Sequence, residues 1–155
     1  MRAMRKFLTP LFLLTLAAVL LPGCSSHNSI TVGLKIELLG IERARDGTAQ
    51  VTWRVTNPNL ASYLLAETSH RIYLNGSLVG KTTDKEPMGV PAQLSTSRTT
   101  KLLVADQAAE RILREALAAG SASYRVETQV TVRLYGDTID RSGLTNSGTV
   151  PVTGK

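Results

Sequence analysis

The chain has very little of the chemistry that metal and redox sites require. Its 155 residues include one cysteine, Cys24, and only two histidines, His27 and His70. A disulfide within the chain is therefore excluded, and a closed zinc site of Cys and His ligands cannot be assembled. Because the 12 Asp and Glu residues are scattered along the chain, we predict no metal site and no bound cofactor.

Sequence signals of catalysis are missing as well. There is no Gly-x-Ser-x-Gly elbow, no glycine-rich phosphate loop and no His-Glu-x-x-His metal motif. His70 stands at the start of a predicted strand without an obvious carboxylate neighbour that would orient it as a general base. The sequence does not exclude a catalytic triad whose residues meet only in the folded chain, because such triads are recognised by geometry and not by sequence position. We expect a protein that is not an enzyme and has no catalytic residues.

Basic runs interleaved with aromatic residues, which would indicate a nucleic-acid surface, are also absent. The formal net charge of +6 includes three charges at the start of the chain, from Arg2, Arg5 and Lys6. The remaining close basic pairs are interpreted as solvated faces: Arg43 with Arg45, and Arg111 with Arg114. We therefore predict no nucleic-acid partner.

What the sequence does have is an export signal over residues 1–23. The basic start is followed by a largely apolar stretch from Phe7 to Leu21. This stretch is shorter than the roughly 20 apolar residues that cross a bilayer, which disfavours a permanent transmembrane helix. A buried core helix that ends at a chance cysteine is the alternative interpretation.

The segment Leu21-Pro22-Gly23-Cys24 resembles a bacterial lipobox. The resemblance implies that Leu21, Pro22 and Gly23 form the cleavage motif and that Cys24 carries two or three acyl chains, palmitate among them. Several chains make attachment stable, since each buried methylene contributes about 0.8 kcal/mol. Cys24 would then be an anchor and not a nucleophile. Ser25 and Ser26, in place of an Asp, imply the periplasmic face of the outer membrane.

Residues 24–29 are interpreted as the lipidated cysteine and a short polar tether. Ser25 to Ser29 contains no apolar residue and spans only about 15 to 20 Å when extended. The folded domain, predicted over residues 30–155, is therefore expected close to the bilayer.

Alternating apolar and polar residues begin at Ile30 and predict β-structure. Val32, Leu34, Ile36 and Leu38 would face a core, and a turn at Asp46-Gly47 would lead to an antiparallel second strand. That strand carries Trp53 between valines, which favours a core anchor over a ligand platform. Asn57-Pro58-Asn59 ends it, because proline cannot donate to a ladder and asparagine tolerates turn conformations.

Further elements follow along the chain. Asn75-Gly76 predicts a tight hairpin between strands at 70–74 and 77–81. A partly exposed strand is predicted over Ser95 to Val104, then a helix of about 12 to 14 residues that begins at Asp106 and stops at Gly120. We expect the helix to pack on the sheet. A long strand is predicted at 124–135, a loop at 136–147 and a short edge strand at 148–152.

About seven strands and one helix in one unit indicate a mainly β fold, an antiparallel β-sandwich. The segments Val51 to Asn59, Arg71 to Gly76 and Gly148 to Val152, in this order, resemble the type 2 late-embryogenesis-abundant (LEA) family and its water stress and hypersensitive response (WHy) domain. The resemblance covers roughly Ile30 to Val152. It implies an immunoglobulin-like or fibronectin-III-like sandwich, with Asn57, Pro58 and Asn59 as a structural turn.

The resemblance also implies a function. Members of the family are linked to tolerance of desiccation, freezing and related stress, which makes partly unfolded client proteins the expected partners. The alternative is a binding or scaffold module that contacts one specific envelope protein, since the same fold hosts many partners. Neither interpretation requires a cofactor, and the sequence does not indicate an oligomeric state.

Overall fold

The computed structural model describes residues 33–134 and 137–155. The predicted signal peptide, Cys24 and the tether lie outside the described residues. Within those ranges the chain forms eight strands and one helix: β1 (Lys35–Arg43), β2 (Ala49–Thr56), β3 (Tyr63–Leu74), β4 (Ser77–Asp84), β5 (Met88–Val90), β6 (Ser95–Val104), α1 (Gln107–Ala119), β7 (Ser121–Leu134) and β8 (Asp137–Gly154).

Seven of these strands form a closed barrel. Their order is β4-β6-β2-β1-β8-β7-β3, and the ring closes because β3 and β4 pair with each other through the Asn75-Gly76 hairpin. β5 pairs with the first residues of β3, beyond the part of β3 that β4 covers. The described pairs are antiparallel except for β1 with β8, which run parallel.

The predicted immunoglobulin-like or fibronectin-III-like β-sandwich is wrong. A sandwich needs two sheets with free edges, whereas here β4 pairs with both β3 and β6, and β8 pairs with both β1 and β7. The mainly β composition and the helix were predicted. Alternating apolar residues do not distinguish the two architectures, because a sandwich and a small barrel both bury one face of every strand.

β8, the strand that joins β1 to β7 in the ring, was not predicted from the sequence. Residues 136–147 were predicted as a loop, but β8 runs without interruption from Asp137 to Gly154 and pairs with β7 along its length. It is not an edge strand, since β1 pairs with its end from Val152 onward. Pro151 is tolerated because the ladder with β1 begins one residue after it.

The barrel interior is packed with side chains. Val51, Trp53 and Val55 of β2 are fully buried, as their alternation predicted, and so are Ile72 and Leu74 of β3. The indole Nε1 of Trp53 donates to Thr100 Oγ1 at 3.2 Å, which satisfies the polar atom of this large ring. The prediction of Trp53 as a core anchor is confirmed.

The helix closes one end of the barrel, called here the helix end. Asp106 Oδ1 accepts from the Ala109 N–H at 2.8 Å, and Gly120 ends the helix with a left-handed φ of 75°. Leu113 is fully buried. Glu110 bonds to Arg43 at the last residue of β1, at 2.5 Å. The helix therefore packs on the barrel, as expected.

Candidate functional site

The outer surface of β2 and β6 carries an array of hydroxyl groups, which we call the hydroxyl face. It comprises Thr52, Thr56, Ser95, Ser97 and Thr99. The hydroxyl oxygens of Thr52 and Thr99 lie 2.8 Å apart, and those of Thr56 and Ser95 lie 2.9 Å apart. Because a hydroxyl offers one donor and two acceptor positions, paired hydroxyls keep capacity for water.

The sequence explains why this surface forms. In β6 the residues from Ser95 to Lys101 alternate between exposed and half-buried positions, and none is fully buried. Register with β2 places Ser95 opposite Thr56 and Thr99 opposite Thr52, which are the pairs that bond. β-branched threonine suits a pleated surface, so the strand forms without an apolar outer face. The partly exposed strand predicted over Ser95 to Val104 is β6.

Asn57 links two loops at the end of the barrel opposite the helix, which we call the entry tip: Gly33, residues 57–62 and residues 91–94. Its fully buried Nδ2 donates to the carbonyl oxygens of Ala61 at 2.8 Å and Pro91 at 3.1 Å. Its Oδ1 accepts from the Asn59 N–H at 3.0 Å. Asn57 therefore has bonds that shape the tip, and Pro58 is exposed beside it.

Among the described residues, His70 is the titratable group whose pKa the fold changes most. It is fully buried in the barrel, and its Nδ1 lies 2.8 Å from Thr128 Oγ1. Burial lowers the pKa of His70 to about 4, although the carboxylate of Asp84 acts in the opposite direction. Asp84 in turn bonds to Arg98 at 2.7 Å. His70 is therefore a core residue with a neutral, fully buried ring at pH 7.

A second surface feature is an open groove on the outer face of β3, β4, β7 and β8. Its volume is about 430 Å³, and its lining includes Arg71, Lys81, Ser69 and Thr83. Arg71 and Lys81 stand directly opposite each other in the β3–β4 ladder. Like charges in this position repel each other, but Glu127 also lines the groove and stands opposite Arg71 in the β3–β7 ladder, so the groove carries charges of both signs.

Among the described residues, no group of three or more His, Cys, Asp or Glu side chains is placed to hold a metal ion. In the same ranges, no helix has the length and apolar character that a membrane crossing requires.

The predicted site residues divide into two groups. Leu21, Pro22, Gly23 and Cys24 fall outside the described residues. Asn57, Pro58 and Asn59 form a tight turn at the entry tip, where the bonds of Asn57 are to backbone groups. The pairing of Arg71 with Lys81 was missed, because a bulge between Ile72 and Tyr73 shifts the register by one residue from that of an uninterrupted hairpin.

Comparison with known proteins shows that the chain is similar in fold to solved structures. No family model matches the chain. No curated protein matches it either. A solution structure of an Arabidopsis thaliana protein is 18% identical, with a TM-score of 0.51, and the match covers 78% of this chain and 80% of that one. This likeness shows a shared fold at low sequence identity.

Two further solved structures are similar at lower TM-scores. A solution structure described as that of a late embryogenesis abundant protein is 12% identical, covers 94% of this chain and 79% of its own, and has a TM-score of 0.49. A crystal structure of a protein from Archaeoglobus fulgidus is 14% identical, covers 76% of this chain and 94% of its own, and has a TM-score of 0.46.

Proposed function

We propose that this chain is a non-enzymatic lipoprotein of the bacterial cell envelope that limits the denaturation or aggregation of other proteins during desiccation or freezing. It is anchored through Cys24 at the periplasmic face of the outer membrane. The observation that supports the protective role is the hydroxyl face, where Thr52 and Thr99 bond to each other while remaining open to water.

The physical basis of protection is a hydrated surface that competes for exposed groups of unfolding proteins. Hydroxyls on β2 and β6 can donate to or accept from backbone groups of a neighbouring chain when water is withdrawn. Each such contact is weak, since a hydrogen bond exchanged with water contributes only about 0.5 to 1.5 kcal/mol. Weak contacts at many positions would separate unfolding chains without holding them, and they require no ATP.

The interior of the barrel supports the non-enzymatic part of the proposal. Trp53, Ile72 and Leu113 are fully buried, so side chains occupy the space in which wider barrels hold ligands. The resemblance of the segments around Asn57-Pro58-Asn59 and Asn75-Gly76 to the type 2 LEA family, with its WHy domain, points to the same role. The anchor is supported by the lipobox-like segment Leu21-Pro22-Gly23-Cys24.

The experiment that tests protection measures the activity of a freeze-labile enzyme after freeze–thaw cycles with the purified Ser25 to Lys155 domain. Albumin and an unrelated small barrel serve as comparisons over a range of molar ratios. A Thr52→Val, Thr99→Val variant removes two bonded hydroxyls but retains the shape. Thr149→Val, Thr153→Val, on exposed positions of β8, is the matched control.

We expect the wild type and the β8 control to protect better than albumin and the hydroxyl-face variant to lose that advantage, with unchanged circular dichroism. Protection no better than albumin at equal mass would refute the proposal. Cross-linking in intact envelopes would then test the alternative, a module that contacts one specific envelope protein, through the appearance of a single dominant product.

A further inference from the structure

The entry tip carries the most exposed apolar side chains of the described residues. Leu60 is 85% exposed and Leu94 is 59% exposed. Leu64, near the start of β3, is 41% exposed at the same end of the barrel. Single exposed leucines are common on protein surfaces, but apolar groups gathered together indicate a contact surface. The helix end also has two exposed leucines, Leu78 at 44% and Leu103 at 51%, which are fewer than those of the tip and less exposed than Leu60 and Leu94.

The two loops that carry Leu60 and Leu94 are bonded to each other. The Gln93 N–H donates to the carbonyl oxygen of Asn59 at 3.1 Å, and the Asn57 N–H donates to that of Leu94 at 2.9 Å. The Ala92 N–H donates to Ser62 Oγ at 3.1 Å. The buried amide of Asn57 joins both loops from beneath, so the leucines project from a fixed platform.

The chain enters the domain at this same tip. A Cβ on Gly33 would lie 3.3 Å from Pro58 Cγ and 3.6 Å from Asn59 Oδ1, so Gly33 packs directly against the turn. Only eight residues, Ser25 to Val32, separate Gly33 from Cys24. Even when fully extended, this connection reaches roughly 30 Å.

We infer that the entry tip docks on the lipid bilayer, with Leu60 and Leu94 inserted at the boundary between headgroups and acyl chains. The inference rests on the lipid anchor of the proposed function, because a lipid on Cys24 would hold this end of the barrel nearest the membrane. Leucine at that depth removes apolar surface from water, which adds to the attachment that the acyl chains provide.

Charged side chains around the tip fit this orientation. Lys35 lies opposite Thr56 at the start of β1, Arg133 lies opposite Leu64, and Lys85 stands in the turn that follows β4. All three are exposed. Their cationic ends would lie at the level of anionic headgroups. Acidic residues share this end of the barrel: Asp84 and Glu86 are both within ion-pair distance of Arg98, and Asp137 stands opposite Leu134 at the start of β8.

The test places a tryptophan at the tip and at the helix end of the full chain, which is produced in a Gram-negative host and reconstituted into vesicles of phosphatidylethanolamine and phosphatidylglycerol. Brominated acyl chains quench only tryptophans that contact them. The variants are Leu60→Trp and, as the control, Leu103→Trp, since Leu103 is half exposed and lies at the far end of β6. The wild type gives the background from buried Trp53.

We expect the added emission of Leu60→Trp to be blue-shifted in vesicles and reduced by brominated lipid, while the emission of Leu103→Trp and of the wild type is not quenched. Adding Leu94→Ser to Leu60→Trp should weaken the quenching. Equal quenching at positions 60 and 103, or none at 60, would overturn the docked orientation. Thermal unfolding of each variant in detergent confirms that the fold is intact.

The intact mass of the purified protein distinguishes a failure of tip docking from a failure of the lipid anchor. A purified chain without acyl mass on Cys24 would refute the anchor of the proposed function. The single thiol would then be coupled to a maleimide lipid, and the same two tryptophan positions would be compared. Quenching confined to position 60 would support docking of the tip in the maleimide-coupled protein as well. Absence of quenching at position 60 would overturn the docked orientation.

Discussion

Trp53 lies against His70 in the middle of the barrel, with ring centroids 4.4 Å apart and ring planes tilted by 56°. The two residues belong to β2 and β3, which are separated by two strands, β6 and β4, on the shorter path around the ring. Their contact therefore spans the interior and joins opposite walls of the barrel. A change at either ring would affect the packing of both walls, because close-packed interiors transmit changes in volume.

The first prediction concerns the stability of the protein in acid. The folded-state pKa of His70 is lowered to about 4 by burial, so the unfolded chain binds a proton more readily over the interval between about 6.5 and 4. The free energy of unfolding should fall as the pH decreases through this interval, by roughly 3 kcal/mol once the pH is below 4. No loss from His70 is expected above pH 7.

Urea unfolding at pH 7 and pH 4.5 measures this effect, with His70→Leu as the control that lacks the titrating ring. Carboxylates titrate in both the wild type and His70→Leu. The difference between the pH dependences of their unfolding free energies is therefore due to His70. A ring titration near pH 6.5 in the NMR spectrum of the wild type would contradict the prediction without depending on the variant.

The second prediction is that Asn57→Ala destabilises the fold. The substitution removes the donor for the carbonyl groups of Ala61 and Pro91 and the acceptor for the Asn59 N–H, at a site without access to water. We expect the free energy of unfolding to fall by about 1 to 3 kcal/mol. Asn59→Ala, at a half-buried position, should cost less. A stably folded but inactive Asn57→Ala protein would instead assign this residue to a binding surface.

The third prediction is that Gly80→Ala destabilises the barrel. A Cβ at this position would come 2.4 Å from the carbonyl oxygen of Leu103, because β4 and β6 approach each other closely where they pair. The backbone must shift, at a cost of about 1 to 3 kcal/mol. Gly89→Ala, which meets nothing within 4 Å, is the matched control. Equal melting temperatures for the two variants would contradict the close approach.

The fourth prediction is that Lys81→Glu stabilises the barrel. Lys81 faces Arg71 across the β3–β4 ladder, and reversing its charge turns a repulsion into an attraction of roughly 0.2 to 1 kcal/mol. The melting temperature should rise at low ionic strength. The rise should disappear in 1 M salt, where the screening length is about 3 Å. A salt-independent change would point to packing as its cause.

Local structure could be predicted from the sequence wherever one signal decided it. Asn75-Gly76 predicted the hairpin correctly, because the tight turn needs positive φ at both residues, and they adopt 49° and 85°. Asp106 and Gly120 gave both ends of the helix, and the alternation around Trp53 gave the buried face of β2. Each of these features depends on a few neighbouring residues.

Features set by distant parts of the chain were missed. The segment 136–147 contains few apolar positions, so nothing local indicated the strand that begins at Asp137, and without that strand the sheet could not be predicted to close. The hydroxyl face was partly visible in the run from Ser95 to Thr100, but its bonded pairs depend on the register with β2. The proximity of Asp84 to His70 likewise follows from the pairing of β3 with β4.

The parallel contact between β1 and β8 determines how late this barrel can be completed. Until β8 inserts, β1 presents a row of unpaired backbone groups, which other extended chains could use as a template. Pairing β1 with β8, which are far apart in the sequence, requires closure of a very long loop, which slows folding. During synthesis the barrel must therefore remain incomplete until β8 has been made, and this interval is when the protein would itself be most prone to aggregate.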